Sequence, residues 1–274
     1  MIPPTLPAVQ DGRFLWCETD MASYLTPAVL PGQPQLQCAF TLRHAGRSGG
    51  DLNLSFDRAE REIVLANRQH VMQALGFPHR MVYTVRQVHG SHVCIVDRAA
   101  MSQGLKDVRA DALITDLPRV ALGVLAADCL PIVLYSLRPR VLGVVHAGRM
   151  GTLACVVLAA LDVMQSRFSV ASEQVYAIMG PGIGPCCYRL DARAVAPFQE
   201  RFSDWENYFF PRGSKFWMMH LAEANSRQLL AAGLRPAHIQ IADICTACHV
   251  AHLYSHRAEG QEAGRAMGIA VLRS

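Results

Sequence analysis

The apolar positions of the chain follow two periods, and one of them predicts strands. Short apolar runs bounded by polar or Gly/Pro breaks crowd the middle of the chain, which is typical of buried strands. None of these runs approaches the length of a helix core. The predicted strands are residues 35–42, 82–97 on both sides of His89-Gly90, 111–115, 120–126, 132–136, 141–146, 174–179, 238–244 and 267–272.

The second period is that of amphipathic helices. Residues 59–75 have helical spacing that places Ile63, Val64, Val71 and Leu75 on one apolar face, and Gly76 follows as the expected end. Three more helices are predicted at 152–168, 191–202 and 221–232, the last ended by a glycine. Strands and helices mix without strict βαβ alternation, so we predict an α/β fold with mixed sheets packed as a sandwich.

Domain organisation follows from the absence of a linker, a repeat or a low-complexity tract. We therefore expect a single domain over residues 1–274. Residues 1–35 contain several prolines and weak periodicity. They are interpreted as an extended lead-in with room for one strand pair.

Composition and charge narrow the class of protein. Half of the residues are hydrophobic (51%) and 18% are charged, as in folded globular proteins. The net charge of +4 is spread without a Lys/Arg run, so no nucleic acid is expected as a partner. No apolar stretch reaches the roughly 20 residues of a membrane span. The N-terminal residues lack a signal-peptide pattern, and a cytoplasmic protein without a membrane partner is expected.

Cysteine usage points to thiols or metal ligands. The chain has nine cysteines, an odd number, and a reducing compartment disfavours a disulfide framework. Three segments stand apart because each places a possible ligand at the end of a predicted apolar strand, near a Gly or Pro. They are 86–90 with His89, 126–131 with Cys129, and 144–148 with His146. Two imidazoles and a thiolate suit Zn²⁺ and leave its fourth position open. Taken singly, each of the three residues fits better as a buried core residue than as a metal ligand.

Several motifs in a fixed order carry a resemblance to a known family. They include Gln87-Val-His-Gly90, Asp111-Ala-Leu-Ile-Thr115, Ala127-Asp-Cys-Leu-Pro131, His146-Ala-Gly148, Gly180-Pro-Gly-Ile-Gly-Pro-Cys-Cys-Tyr188, Tyr254-Ser-His-Arg257 and Gly264-Arg265. From about residue 38 onward, the sequence resembles the YfiH-type laccase-domain family, also called purine nucleoside phosphorylases.

The resemblance implies a fold, a metal and a set of activities. The implied fold is an α-β-β-α sandwich with mixed sheets, and the implied metal is zinc bound by His89, Cys129 and His146. The implied reactions are phosphorolysis of adenosine, inosine and S-methyl-5'-thioadenosine, with adenosine deamination in addition. A purine nucleoside and phosphate are therefore the expected partners, and the oligomeric state is not defined by the sequence.

Two segments depart from the family pattern. Relatives usually have Trp and then Arg-Gly after His-Ala-Gly, whereas this chain has Gly148-Arg149-Met150-Gly151. The family's Gly-Gly-Val-Ser loop is replaced by residues 45–50. The first change alters the wall beside the metal without touching a ligand.

Candidate substrate groups follow from the chemistry of phosphorolysis, which needs an anion site and cations. Gly148, Gly151 and Thr152 open the predicted 152–168 helix, whose N-terminal amides could bind phosphate. Arg149 and Arg43 are the candidate cations. For deamination, a metal-activated water would attack purine C6, with Asp128 or a histidine moving protons. Asp128 fits equally well as a structural partner of a loop amide.

Three other functions remain open. A copper-binding, laccase-like polyphenol oxidase could use the same two His and one Cys, with copper as the alternative metal. A multicopper laccase is disfavoured because the chain has no His-x-His pair. A Cys-His hydrolase would use Cys129 as nucleophile with His146 or His89 as base. A non-catalytic partner protein would result if the altered loop had disabled the site.

Three motifs are interpreted as incidental. Residues 46–50 match the nucleophile-elbow pattern, but the sequence after them does not predict the required helix. Cys245-Thr-Ala-Cys248-His249 matches a haem-attachment pattern, and a structural zinc there would need two more ligands, with His252 and His256 near in sequence. A buried thiol pair is favoured instead. The Gly/Pro loop at 180–184 is expected to shape the site rather than bind a dinucleotide.

Overall fold

The structure is a computed structural model that describes residues 6–30, 35–57 and 59–273. The fifteen strands of these residues are β1 Phe14–Glu18, β2 Ser23–Pro27, β3 Leu36–Thr41, β4 Val82–Tyr83, β5 Val93–Ile95, β6 Ala112–Thr115, β7 Ala121–Ala126, β8 Leu130–Leu137, β9 Arg140–Ala147, β10 Tyr176–Met179, β11 Arg189–Asp191, β12 Phe209–Arg212, β13 Phe216–Met219, β14 Ile239–Ile241 and β15 Ala266–Leu272. The α-helices are α1 Pro7–Gln10, α2 Arg61–Ala74, α3 Arg98–Gln103, α4 Arg149–Leu153, α5 Val156–Phe168, α6 Ala192–Arg201, α7 Leu221–Ala231 and α8 His256–Glu259.

Two six-stranded sheets form the centre of the fold. The first sheet has the order β1-β2-β3-β15-β7-β4, and the second has the order β14-β10-β8-β9-β6-β5. Most neighbours are antiparallel, but β4–β7, β5–β6 and β10–β14 are parallel pairs. A small sheet, β11-β13-β12, lies beside them. The predicted mixed sheets are therefore confirmed.

The layers of the sandwich are visible in three apolar clusters. One cluster lies between the sheets and joins Phe40 and Leu122 of the first sheet to Tyr135 and Val144 of the second. A second cluster packs α5, α6 and α7 on the outer face of the second sheet. The third packs α2 on the outer face of the first sheet. The order is α-β-β-α, as the resemblance implied.

Local differences from the predicted elements have simple causes. The 152–168 helix is two helices, α4 and α5, because Cys155 takes a left-handed conformation with φ of +60°. In α2, Val64 and Val71 are buried as predicted, but Ile63 is 51% exposed, so its assignment to the packed face was wrong. Gly76 follows α2 with φ of +86°, a conformation that glycine adopts readily.

The N-terminal segment is more than a lead-in. Strands β1 and β2 form an antiparallel pair, and β2 continues into the first sheet through β3. The predicted strand pair is thereby confirmed, while residues 1–5 and 31–34 of that segment lie outside the described part of the chain. Strands β12 and β13 were not predicted, because the residues 211–215 interrupt their short apolar runs and form the end of β12 and the turn 213–215.

Two further observations concern the helices of the described residues. Residues 46–48 form one 3₁₀ turn, and the next α-helix begins only at Arg61, so the nucleophile-elbow geometry is absent from this segment. Among the helices of the described residues, none combines the length and the apolar character that a membrane crossing requires.

Candidate metal centre

Three chain segments that are far apart in sequence meet at one end of the second sheet. His89 lies in the loop between β4 and β5, Cys129 directly precedes β8, and His146 is the penultimate residue of β9. One ligand atom from each of these three side chains lies within 4.8 Å of the others. The prediction that each would sit at the end of a strand was therefore wrong for His89, which lies in a loop, and for Cys129, which precedes its strand.

Strand register brings Cys129 and His146 together. In the β8–β9 pair, Pro131 faces His146 and Leu130 faces Ala147. The next residues along each chain, Cys129 and Gly148, therefore also lie opposite one another. Gly148 is required here, because a Cβ at this position would lie 2.6 Å from Cys129 Sγ and 3.3 Å from His89 Cδ2.

Asp111, fully buried just before β6, organises both histidines. Its Oδ1 accepts a hydrogen bond from His146 Nδ1 at 2.9 Å. The same carboxylate accepts the backbone N–H groups of His89 (2.9 Å) and Gly90 (2.7 Å). These bonds hold the loop in a conformation in which His89 has φ of +59°. Burial alone would raise the pKa of Asp111, but the hydrogen bonds from His146, Gly90 and His89 lower it.

Gln87 fixes the same loop to the first sheet. Its side chain donates to the carbonyl of Leu125 at 2.8 Å and accepts the Leu125 N–H at 2.7 Å. Leu125 belongs to β7, the strand that leads to Cys129. The loop that carries His89 is thus anchored to the two elements that carry Cys129 and His146.

The electrostatics of the three side chains favour a thiolate. Burial raises the pKa of Cys129, but His146 and His89 outweigh it and bring that pKa down to about 6. Burial lowers the pKa of His146, whereas Cys129 and Asp111 raise it to about 9. The hydrogen bond from Nδ1 to Asp111 leaves Nε2 of His146 for a second partner, the arrangement typical of metal-bound histidines. Two imidazoles and a thiolate at this spacing could hold a metal ion.

The predicted substrate residues lie at different distances from this centre. Gly148 and Arg149 begin α4, and Gly151 packs against the His89 loop, since a Cβ there would lie 3.2 Å from the Gly90 carbonyl oxygen. Thr152 is fully buried, and its hydroxyl accepts a hydrogen bond from Asn225 at 2.9 Å. In the structure, the Thr152 hydroxyl is thus used in a buried hydrogen bond to another helix. A role of Thr152 in substrate binding stays a prediction.

The Arg43 side chain contacts residues outside the candidate metal centre. Its guanidinium forms a salt bridge with Glu259 at 3.0 Å, lies 4.8 Å from the Tyr254 ring centre and donates to the Val250 carbonyl. These contacts lie among residues 250–259 and not at His89, Cys129 or His146. Phosphate binding by Arg43 stays a prediction.

The carboxylate of Asp128 accepts hydrogen bonds from three neighbouring residues. Asp128 has φ of +86°, and its carboxylate accepts hydrogen bonds from the Thr246 hydroxyl (2.6 Å), the Ser255 hydroxyl (2.7 Å) and the Arg257 N–H (2.6 Å). The alternative interpretation, a structural partner of a loop amide, is therefore realised by Arg257. Proton transfer by Asp128 stays a prediction.

Four residues near the centre were not assigned a role from the sequence. Asp111 and Gln87 were quoted only as parts of motifs, although an acid directly before a mostly apolar strand is a usable signal for a buried carboxylate. Burial, and next to it the charge of Cys129, raise the pKa of Tyr188 to about 12, whereas the charges of Arg149 and Arg257 oppose this rise. The Arg257 guanidinium lies 5.2 Å from the Tyr188 ring centre. Only the fold brings these four residues to the centre.

A second group of possible ligands consists of cysteines alone. Among the described residues, Cys186, Cys187, Cys245 and Cys248 have sulfur atoms within 4.8 Å of one another. The expected buried thiol pair is therefore incorrect, because Cys248 is exposed and lies beside two further thiols. His252 and His256 are directed elsewhere: His252 packs on Trp16 and His44, and His256 Nδ1 bonds to the Gly260 carbonyl.

Comparisons with known proteins agree with this architecture. A family model described as multi-copper polyphenol oxidoreductase laccase matches residues 37–273. Purine nucleoside phosphorylase YlmD of Geobacillus stearothermophilus is 32% identical over 239 residues, which cover 84% of this chain and 87% of that protein. The crystal structure of YlmD superimposes with a TM-score of 0.86 at 28% identity, covering 95% of this chain and all of the other.

A mammalian relative is longer. Purine nucleoside phosphorylase LACC1 of Mus musculus is 28% identical over 247 residues, and the match covers 85% of this chain but 55% of that protein. The match to the family model spans all three segments of the candidate metal centre. The chain therefore belongs to the YfiH-type laccase-domain family.

Proposed function

We propose that this chain is a zinc-dependent purine nucleoside phosphorylase. The proposed substrates are adenosine, inosine and S-methyl-5'-thioadenosine, with adenosine deamination as an additional activity. The observation that carries the proposal is the convergence of His89, Cys129 and His146 within 4.8 Å, in a chain whose relatives are named purine nucleoside phosphorylases.

The donor set fits zinc. Zn²⁺ binds imidazole nitrogen and thiolate sulfur, and catalytic zinc sites have three protein ligands. The lowered pKa of Cys129 favours the thiolate that a metal requires. A zinc ion held there would supply Lewis-acid chemistry at a coordinated substrate atom.

The chain's own residues supply orientation. Asp111 fixes the His146 ring through Nδ1, and Gly148 leaves the space beside Cys129 Sγ open. Arg149 follows at the first position of α4, where its charge acts on Tyr188 together with that of Arg257. We infer that Arg149 attracts phosphate, whose oxygen bonds to the ribose anomeric carbon while the purine leaves with the electrons of the glycosidic bond and takes up a proton.

The decisive experiment is a product analysis with metal-replete protein. Adenosine, inosine and S-methyl-5'-thioadenosine are incubated with and without phosphate, and bases and sugar phosphates are separated by chromatography. Phosphate-dependent release of free base with an equal amount of the sugar 1-phosphate is expected. Inosine formed from adenosine would report deamination.

Matched variants link the turnover to the site. Cys129→Ser should lower phosphorolysis by at least 100-fold, because it removes a ligand thiolate. Cys94→Ser, which changes a half-buried thiol in β5, should leave the rate unchanged. The proposal is abandoned if zinc-loaded protein turns over none of the three nucleosides, or if Cys129→Ser retains full activity.

A second candidate is a Cys-His hydrolase, favoured by the lowered pKa of the Cys129 thiol and the raised pKa of His146. A thiolate beside an imidazolium is the arrangement of cysteine nucleophiles. Chelation and alkylation separate the two candidates. A hydrolase keeps its activity in strong chelator and loses it to a thiol alkylator, whereas the zinc enzyme loses activity on chelation and regains it with Zn²⁺.

The copper alternative is tested by the metal content. Protein produced without added copper is expected to contain zinc at the His89–Cys129–His146 site. Stoichiometric copper that survives dialysis against a chelator, together with oxidation of phenols, would support the polyphenol oxidase and overturn the zinc proposal.

A further inference from the structure

The four-cysteine cluster is built from two turns that are distant in sequence. Cys186 and Cys187 lie in the turn after the 180–184 loop. Cys245 directly precedes a 3₁₀ turn that follows β14, and Cys248 is the last residue of that turn. Their sulfur atoms converge within 4.8 Å of one another. No residue of the His89–Cys129–His146 centre belongs to this cluster.

The sulfur spacing matches a tetrahedral metal better than a disulfide. Cys186 Sγ and Cys187 Sγ each lie 3.4 Å from Cys248 Sγ. A zinc ion with Zn–S bonds of about 2.3 Å separates its sulfurs by about 3.8 Å. A disulfide needs about 2.05 Å. All four residues are free thiols in the structure.

The backbone holds the two turns against each other. Gly182 pairs with Cys245 as an isolated parallel bridge. In this bridge, the Gly182 N–H donates to the Ile244 carbonyl at 3.2 Å and the Thr246 N–H donates to the Gly182 carbonyl at 3.1 Å. Gly184 permits the close approach, since a Cβ there would lie 3.1 Å from Cys245 Cβ and 3.3 Å from Cys186 Sγ.

The chemistry of the set selects the ligand. Four thiols that face one another gain little from their mutual hydrogen bonds, because S–H is a weak donor. Four sulfur donors in tetrahedral reach favour zinc, and a closed set without an open position is that of a structural site. The two ligands Cys245 and Cys248 also have the C-x-x-C spacing common to such sites.

We propose that Cys186, Cys187, Cys245 and Cys248 bind a second zinc ion through four thiolates. Binding forms four Zn–S bonds and releases the thiol protons to solvent. The ion ties the 184–188 turn to the 245–248 turn. Thr246 lies inside the second turn, and its hydroxyl donates a hydrogen bond to Asp128, the neighbour of Cys129. The second zinc therefore positions a loop beside the first centre.

Zinc stoichiometry tests the proposal independently of any turnover. The wild-type chain is expected to hold two zinc ions by mass spectrometry of the metal content, and Cys129→Ser is expected to hold one. Adding Cys248→Ser to Cys129→Ser should remove the remaining ion. Cys94→Ser should keep both. Inactivity toward nucleosides would leave these counts unchanged, so the two proposals fail separately.

A measurement on unmodified protein covers the case in which a cysteine variant fails to fold. Cys186 and Cys248 are exposed, so their free thiols should react readily with N-ethylmaleimide. In zinc-loaded wild-type protein, this reaction should be at least tenfold slower than after chelation. Cobalt in Cys129→Ser protein should give the intense absorption of a tetrathiolate site. Equal alkylation rates with and without zinc would overturn the proposal. So would iron with inorganic sulfide, or a disulfide among the four residues in freshly purified, zinc-supplied protein.

Discussion

At the scale of single residues, Asp111 and Gly148 define the candidate centre as much as the three possible ligands do. Asp111 connects the His89 loop to His146 through one buried carboxylate. Gly148 leaves the space that the Cys129 sulfur occupies. The sequence does not show which side chains these two residues contact, because each partner is at least 19 positions away.

Asp111→Asn tests the carboxylate. The amide keeps the shape but loses the charge that orients His146, so zinc affinity at this centre should fall about 10- to 100-fold. Competition against a chromogenic chelator measures the affinity. Asp162→Asn, a change on the exposed face of α5, is the control and should leave the affinity unaltered. Wild-type affinity in Asp111→Asn would show that the hydrogen bond to His146 is not needed.

Gly148→Ala tests the space beside the sulfur. The added Cβ would lie 2.6 Å from Cys129 Sγ, so the thiolate must move and phosphorolysis should fall at least tenfold. Gly90→Ala is the matched control in the same centre, because its Cβ would have only an ordinary contact of 3.6 Å with Asp111. Steady-state rates of both variants decide, and equal rates would contradict the steric argument.

At the scale of elements, the short helix α4 is held by α7. Thr152 of α4 is buried, its hydroxyl accepts from Asn225 Nδ2, and its carbonyl accepts from Gln228 Nε2 at 2.9 Å. Gly148 and Arg149 begin the same helix, so the packing of α4 on α7 sets their position. Cys155 then separates α4 from α5 through its left-handed conformation.

Thr152→Val removes the hydroxyl at constant shape. The buried Asn225 amide loses one acceptor, and the free energy of unfolding should fall by about 1–3 kcal/mol. Thr152→Ser keeps the hydroxyl and should lose less. Urea unfolding followed by circular dichroism compares them. A larger loss in Thr152→Ser than in Thr152→Val would show that the methyl group, and not the hydrogen bond, stabilises α4.

At the scale of the whole molecule, the proposed first site joins both sheets. His89 lies between a strand of the first sheet and one of the second, Cys129 lies where β7 of the first sheet passes to β8 of the second, and His146 belongs to the second sheet. A ligand that binds only the folded state stabilises that state by mass action.

Metal removal should therefore lower global stability. At free zinc one hundred times the dissociation constant, each site contributes about 2.7 kcal/mol. Chelation should lower the Tm of the wild-type chain, and Cys129→Ser should show a smaller drop because only the cysteine cluster remains. Differential scanning fluorimetry with and without chelator measures both. An unchanged Tm on chelation of the zinc-loaded wild type would contradict zinc binding by the folded chain.

The sequence by itself determined the alternation of strands and helices, the mixed-sheet class and the ordered motifs that carry the family resemblance. Local apolar periodicity and motif order suffice for these features, because they depend on neighbours along the chain. Short elements such as β12 and β13, the break at Cys155 and the exposure of Ile63 depend on packing and were not predicted.

Only the tertiary structure decided which side chains meet. It brought Asp111 to His146, engaged Asp128 with Thr246, Ser255 and Arg257, and engaged Arg43 with Glu259. It also joined two cysteine pairs about 60 residues apart into one cluster, where the sequence suggested an isolated pair. The physical reason is that contacts between distant residues are set by sheet register and by the packing of the two sheets, which local sequence patterns do not encode.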